Sequence, residues 1–175
     1  MKYLFSILVS LLSLAFACGQ PAPADRPRLA NPNFDKKVEN LLSFTVPLIG
    51  VKELNNIQSE VHIFDARNEA EYDVSHIPGA VFLGYKSFDS TLLQEVSKED
   101  TIVLYCSVGY RSEKIGERLL KLGYTKVFNL YGSLFEWVNQ DYPIVDNDGK
   151  PAQKIHTYNR NWSQWVDEGK AQKIW

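Results

Sequence analysis

Three features of the chain argue for an α/β three-layer sandwich, a mostly parallel sheet with helices on both faces. From residue 61 onward, short apolar runs alternate with stretches of helical period, the order expected of β-α-β units. The runs are apolar at successive positions, as strands covered on both faces require. The length of 175 residues, 45% hydrophobic and 23% charged, gives one domain with a real core plus two ends.

The elements follow in chain order. After Lys2, residues 3–17 are dominated by Leu, Phe, Val, Ile and Ala; the stretch is short for a membrane span, which wants about 20 apolar residues, and reads as an export signal. Its end, Ala15-Phe16-Ala17-Cys18-Gly19, resembles the bacterial lipoprotein cleavage box, with alanine at Ala15 where leucine is usual, and the resemblance makes Cys18 the lipidated first residue of the mature protein. Residues 18–33 hold four of the eight prolines and no hydrophobic period, and are expected to be a tether reaching roughly 45 Å when extended.

The domain proper is expected over residues 34–148. It opens with a helix over 34–42, where Val38, Leu41 and Leu42 share a face, and an edge strand over 43–49, since Pro47 cannot serve a central ladder. Strands are expected over 61–65, 80–83, 102–105 and 126–130, with helices over 92–96, 112–122 and 133–139. Residues 149–175 form a tryptophan-containing extension whose Trp162, Trp165 and Val166 are expected to pack on the parent domain.

Charge and titratable residues exclude several classes. The net charge of −2 and scattered lysines and arginines leave no nucleic-acid footprint. Neither a second cysteine, nor a histidine or acid, stands at ligand spacing around Cys106, His62, His76 or His156, so no metal or other cofactor is expected. With Cys18 carrying lipid, Cys106 has no disulfide partner, and a lone thiol in an oxidising compartment is either reactive or deeply protected.

Position favours reactivity. Cys106 follows the strand run Ile102-Val103-Leu104-Tyr105 and precedes a glycine-containing loop and a helix, so loop N–H groups and the helix's positive end converge on its sulfur. Such surroundings lower a thiol's pKa from about 8.5 into a range of roughly 3.5 to 7.5, and the thiolate is the nucleophile. Ser107, Val108, Gly109, Tyr110 and Arg111 are therefore the candidate substrate cradle, with Gly109 free to take the positive φ that bends the loop into a ring. Arg111 either neutralises an anionic donor or pins the loop to a carboxylate such as Asp65. Asp65 either accepts loop N–H bonds or caps the turn after its strand. Arg67 and Glu71, four apart, are expected to pair across a helical turn. Arg111, Lys114, Arg118 and Lys121 recur at helical spacing as a basic stripe, read as a solvated face partly paired with Glu113 and Glu117.

Taken together the motifs resemble the single-domain rhodanese family of sulfurtransferases. Asp65-Ala66-Arg67 with Glu71-Tyr72, then His76-Ile77-Pro78-Gly79-Ala80, then Cys106-Ser107-Val108-Gly109-Tyr110-Arg111, and finally the segment ending Gly132-Ser133-Leu134-Phe135-Glu136-Trp137 stand in the family's order. Departures are Val81-Phe82, where a polar residue is frequent, and Ser133, where a second glycine is common. The resemblance implies a rhodanese-like sandwich in which Cys106 carries a persulfide, with a small anionic sulfur donor such as thiosulfate and a thiol or cyanide acceptor, and Asp65 and Arg67 in support. Phosphatases and arsenate reductases on this fold carry one more residue between cysteine and arginine; the tighter ring suits a single sulfur atom.

The expected product of these readings is a monomeric, lipid-anchored sulfurtransferase of the cell envelope. The lack of aspartate at position 19 points to the outer membrane, facing the periplasm. Two rival classes are a carrier that loads sulfur once and hands it to a docked partner, and a rhodanese-like interaction module without chemistry.

Overall fold

The computed structural model describes residues 21–175; the expected signal 1–17 and Cys18 lie outside them. Its elements in chain order are α1 (Pro32–Glu39), β1 (Leu48–Ile49), α2 (Val51–Ile57), a 3-10 turn (Gln58–Glu60), β2 (His62–Asp65), α3 (Glu69–Val74), β3 (Val81–Phe82), a second 3-10 turn (Ser90–Leu93), β4 (Thr101–Tyr105), α4 (Tyr110–Lys121), β5 (Lys126–Leu130), α5 (Ser133–Asn139), β6 (Lys154–His156), α6 (Arg160–Ser163) and β7 (Gln172–Ile174).

The central sheet has five strands in the order β1-β5-β4-β2-β3, and every neighbouring pair is parallel. Because side chains alternate along a strand, β4 feeds two cores: Val103 and Tyr105 join the cluster containing Phe34, Leu54 and Phe135, while Ile102 and Leu104 join the one containing Ile115 and Leu119. Helices α1, α2 and α5 thus cover one face and α4 the other, which is the three-layer sandwich.

Strand β5 and helix α5 coincide with the expected 126–130 and 133–139. The expected edge strand shrinks to Leu48–Ile49, although the Pro47 carbonyl still accepts the Asn129 N–H at 2.8 Å. The helix expected over 92–96 is instead the 3-10 turn Ser90–Leu93, begun by the Asp89 side chain accepting from Thr91 N. Helices α2 and α3 were not among the expected elements.

One boundary is corrected. Residues 18–33 do not form a free tether along their length, because Leu29 is buried in the core and the Arg26 side chain is 1% exposed. Arg26 donates to both Asp35 oxygens at 2.8 Å. Burial pushes the Asp35 carboxyl up, but the Arg26 bond and the Leu29 N–H outweigh it and hold it at about 2. The folded unit therefore begins by Arg26.

At the other end, Trp165 stacks on Phe34 with centroids 5.4 Å apart, and Val166 is buried. Asn139 clamps the segment, donating to the Trp165 carbonyl at 2.9 Å and accepting from Asp167 N at 2.9 Å. The extension adds a separate two-stranded parallel sheet, β6 with β7.

Candidate active site

Cys106 lies at the C-terminal end of β4, the middle strand of the sheet, and its loop turns into α4 through Gly109. That glycine has φ 117°, outside the range comfortable for other residues, and the turn brings its N–H to 3.1 Å from Cys106 Sγ. Two further supports hold the loop. The carbonyls of Cys106 and Ser107 accept N–H groups of Leu134 (3.1 Å) and Phe135 (3.2 Å), the first turn of α5. Asn129 donates to the Gly109 carbonyl at 3.0 Å and accepts from Ser112 at 2.7 Å.

Ser133, noted above as a departure from the pattern the sequence resembles, turns out to serve the loop. Its φ is 51°, and its hydroxyl accepts the Cys106 N–H at 3.2 Å while donating to the Leu130 carbonyl at 3.0 Å. The departure itself was the signal; that the side chain would reach Cys106 could not be read from it.

Burial pushes the Cys106 thiol up, but the Arg111 guanidinium and the N–H groups of Ser112, Gly109 and Val108 outweigh it, and its pKa lies below the ordinary thiol value. Cys106 is 1% exposed yet lines a cavity of about 280 Å³, which gives a small reagent a route to its sulfur.

Charge pairing differs from expectation at Arg67, while Arg111 takes the loop-pinning alternative with a carboxylate other than Asp65. Arg67, fully buried, pairs with Asp65 and not with Glu71: its Nε lies 3.0 and 2.9 Å from the two carboxylate oxygens and its Nη2 2.6 Å from one of them. Asp65 also accepts Arg67 N at 2.8 Å, so it caps the turn after β2 and takes no N–H from the cysteine loop. Arg111 pairs with Glu71 and not with Asp65, through bonds of 2.6 and 2.8 Å, and also donates to Ser107 Oγ at 3.0 Å. Burial alone would raise the Glu71 carboxyl, but the Arg111 bonds hold it below the usual value. The exchange of partners follows from α3: Asn68 N donates to Glu71 Oε2 at 3.1 Å, which aims the carboxylate at the cysteine loop.

Of the five loop residues expected to form the cradle, Ser107, Val108, Tyr110 and Arg111 line the cavity with Cys106 and Gly109 does not. The basic stripe is partly spent on pairing, Lys114 meeting Glu117 at 2.6 Å. The remaining lining residues were not foreseen: Leu41, Asn68, Tyr85 and Lys86 from the domain, and Tyr158 and Trp162 from the C-terminal extension. Packing of Trp162 was expected and that of Tyr158 was not, and no periodicity in that segment indicates which part of the domain they would reach. Among the described residues no cluster of histidine, cysteine, aspartate and glutamate could hold a metal ion.

A parallel-sheet sandwich with a cysteine ring at the end of its middle strand defines a rhodanese-like domain, and the family model for that domain matches residues 51–140. The chain belongs to this family. It is similar to a sulfurtransferase of Allochromatium vinosum, 32% identical over 90 residues, which cover 51% of this chain and 83% of that one. It also resembles the putative sulfur carrier protein YrkF of Bacillus subtilis, 27% identical over 95 residues, covering 54% of this chain and 51% of that protein. Further relatives are tRNA uridine(34) hydroxylases, of which the chain spans 38% or less. The BH2092 protein from Bacillus halodurans superposes with a TM-score of 0.54 at 20% identity, over 66% of this chain and 87% of that one, a likeness of fold alone.

Proposed function

We propose that the protein moves a sulfane sulfur from thiosulfate, or from a persulfide or polysulfide, to a thiophilic acceptor through a persulfide on Cys106. The observation that carries this reading is the Cys106 sulfur set in a closed ring, with the Gly109 N–H at 3.1 Å and Arg111 lowering its pKa. The thiolate attacks the outer sulfur of thiosulfate; the S–S bond breaks, sulfite leaves with its electron pair, and a Cys106 persulfide anion remains. Loop N–H groups offer that anion fixed partial positive charge. A thiol or cyanide acceptor then attacks the outer sulfur and restores the thiolate. The relative named a sulfurtransferase supports this reading, and the one named a sulfur carrier supports a variant in which Cys106 loads once and waits.

The proposal includes a place: lipid on Cys18 holds the monomeric domain at the outer membrane, facing the periplasm. With the domain beginning by Arg26, residues 18–25 are left as the tether. Replacing Cys18 by alanine should remove the protein from the detergent phase without changing Cys106 chemistry.

Intact-protein mass spectrometry after thiosulfate treatment tests the chemistry. The expected result is a gain of one sulfur atom, removable by cyanide and absent from Cys106→Ser. An unchanged mass with every donor would overturn the reading.

A further inference from the structure

We infer that Tyr158 and Trp162, from the segment beyond the rhodanese-like domain, complete the thiol cavity and set it for a low-molecular-weight organic persulfide with an apolar body, in preference to thiosulfate. The inference rests on the persulfide chemistry proposed for Cys106. Both residues lie outside the matched span of 51–140, so family membership does not supply this wall.

The cavity is shaped for carbon more than for charge. Beside Tyr158 and Trp162 it is walled by Leu41, Tyr85, Val108 and Tyr110. Its two cations are Arg111, whose charge is already engaged bidentately by Glu71, and Lys86, which stands exposed. A thiosulfate dianion entering it exchanges strong hydration for little compensating charge. An organic persulfide brings at most one negative charge where thiosulfate brings two, reacts through its protonated form R–S–S–H, and lays its body on the aromatic faces, where burial is favourable. The volume of about 280 Å³ also suits a small organic molecule.

Tyr158 is held in place at a cost. Its φ is 65°, a left-handed conformation that an aromatic residue takes only when its surroundings impose it, and its N–H donates to His156 Nδ1 at 3.0 Å. The side chain gains little core burial in return, being 52% exposed, yet its ring lies 5.3 Å from the Arg111 guanidinium at the cavity mouth. Trp162 is anchored through its backbone N–H, which donates to the Asn159 side chain at 3.1 Å, and its ring lies 5.4 Å from the Lys37 ammonium.

In the reaction, the Cys106 thiolate attacks the outer sulfur of R–S–S–H. The R–S bond to that sulfur breaks, R–S⁻ leaves, and Cys106 keeps the sulfur with its proton as Cys–S–S–H, so no external oxidant or reductant is required.

The test measures single-turnover loading of Cys106 in the purified full chain, with benzyl persulfide and thiosulfate as donors. The wild-type protein should load from benzyl persulfide at least tenfold faster per unit concentration. In Tyr158→Ala/Trp162→Ala that ratio should fall at least fivefold through weaker donor binding, and Tyr158→Phe/Trp162→Phe should keep it. Should the alanine pair fail to fold, Tyr158→Ala alone, whose ring is half exposed, is read the same way. A wild-type ratio near one, a ratio untouched by alanine, or equal losses in the alanine and phenylalanine variants would each overturn the inference. Loading from neither donor would instead remove the Cys106 chemistry on which it rests.

Discussion

Arg111 and Glu71, forty residues apart in the chain, close the active loop onto helix α3 through two hydrogen bonds of 2.6 and 2.8 Å. The pair is nearly dry, with the side chains 14% and 2% exposed. Of the two duties considered for Arg111, this geometry supplies the pinning of the loop, and the guanidinium charge also lowers the Cys106 pKa.

Removing the arginine alone should therefore cost stability as well as activity. Arg111→Ala leaves a buried Glu71 carboxylate without its partner and is expected to lower the unfolding free energy by about 3 kcal/mol, read by urea denaturation. The same denaturation on Arg111→Ala/Glu71→Ala should recover part of that loss. Unchanged stability in the single variant would reduce the pair to a surface contact.

Cys106→Ser should abolish sulfur transfer from thiosulfate to cyanide and leave the melting temperature close to wild type, since serine keeps the size and the loop bonds but is a far weaker sulfur nucleophile. Thiocyanate formation above background by this variant would sink the persulfide mechanism.

The rate of Cys106 loading should rise with pH and level off once the thiolate is fully formed, with a midpoint below the ordinary thiol range because the folded pKa is lowered. Arg111→Gln should move the midpoint upward, as the main favourable charge is lost. By linkage, the stability tied to the thiolate is fully present above the unfolded thiol value and is lost as pH falls through the lower folded value. A midpoint at or above that of a free thiol would contradict the electrostatic account.

At Gly109 an added Cβ would meet nothing closer than 3.5 Å, so space is not the obstacle. The backbone is: φ 117° should make Gly109→Ala cost about 1 to 3 kcal/mol or shift the loop and slow loading. Inserting one glycine between Ser107 and Arg111 should also slow loading, by widening the ring. Wild-type behaviour in both variants would show that loop closure is not what activates the thiol.

A chain beginning at residue 33 should be less stable than one beginning at residue 21 by at least about 2 kcal/mol, because it loses the Leu29 burial and leaves Asp35 without Arg26. In the longer chain, the part of stability owed to Asp35 is present above the unfolded carboxyl value and lost as pH falls toward about 2. The shorter chain should lack that acid dependence. Equal melting curves would return the domain boundary to residue 34.

Along the chain, local pattern carried a great deal. Lys126–Leu130 and Ser133–Asn139 are strand and helix where their residues say so, and Cys106 stands at a strand end because an apolar run stops there and a glycine loop follows. Gly109 was legible too, since a positive φ is a property of one residue and its neighbours. Helix α3 has only six residues and buries Glu71 alone, and α2 buries only Val51 and Leu54 of its seven, whereas α5 of equal length is buried throughout, so the two were not read as helices.

The sequence alone determined the α/β class, the thiol and the order of the residues in the loop around it, which follow from local pattern. Tertiary structure decided the partners: Glu71 for Arg111 and Asp65 for Arg67, Arg26 for Asp35, Ser133 for the Cys106 N–H, and Tyr158 and Trp162 for the cavity wall. Charge and aromaticity at a position fix what a side chain can bind. Which group it meets depends on where other segments come to lie once the apolar faces are buried, and that geometry is set by the packed sheet as a whole.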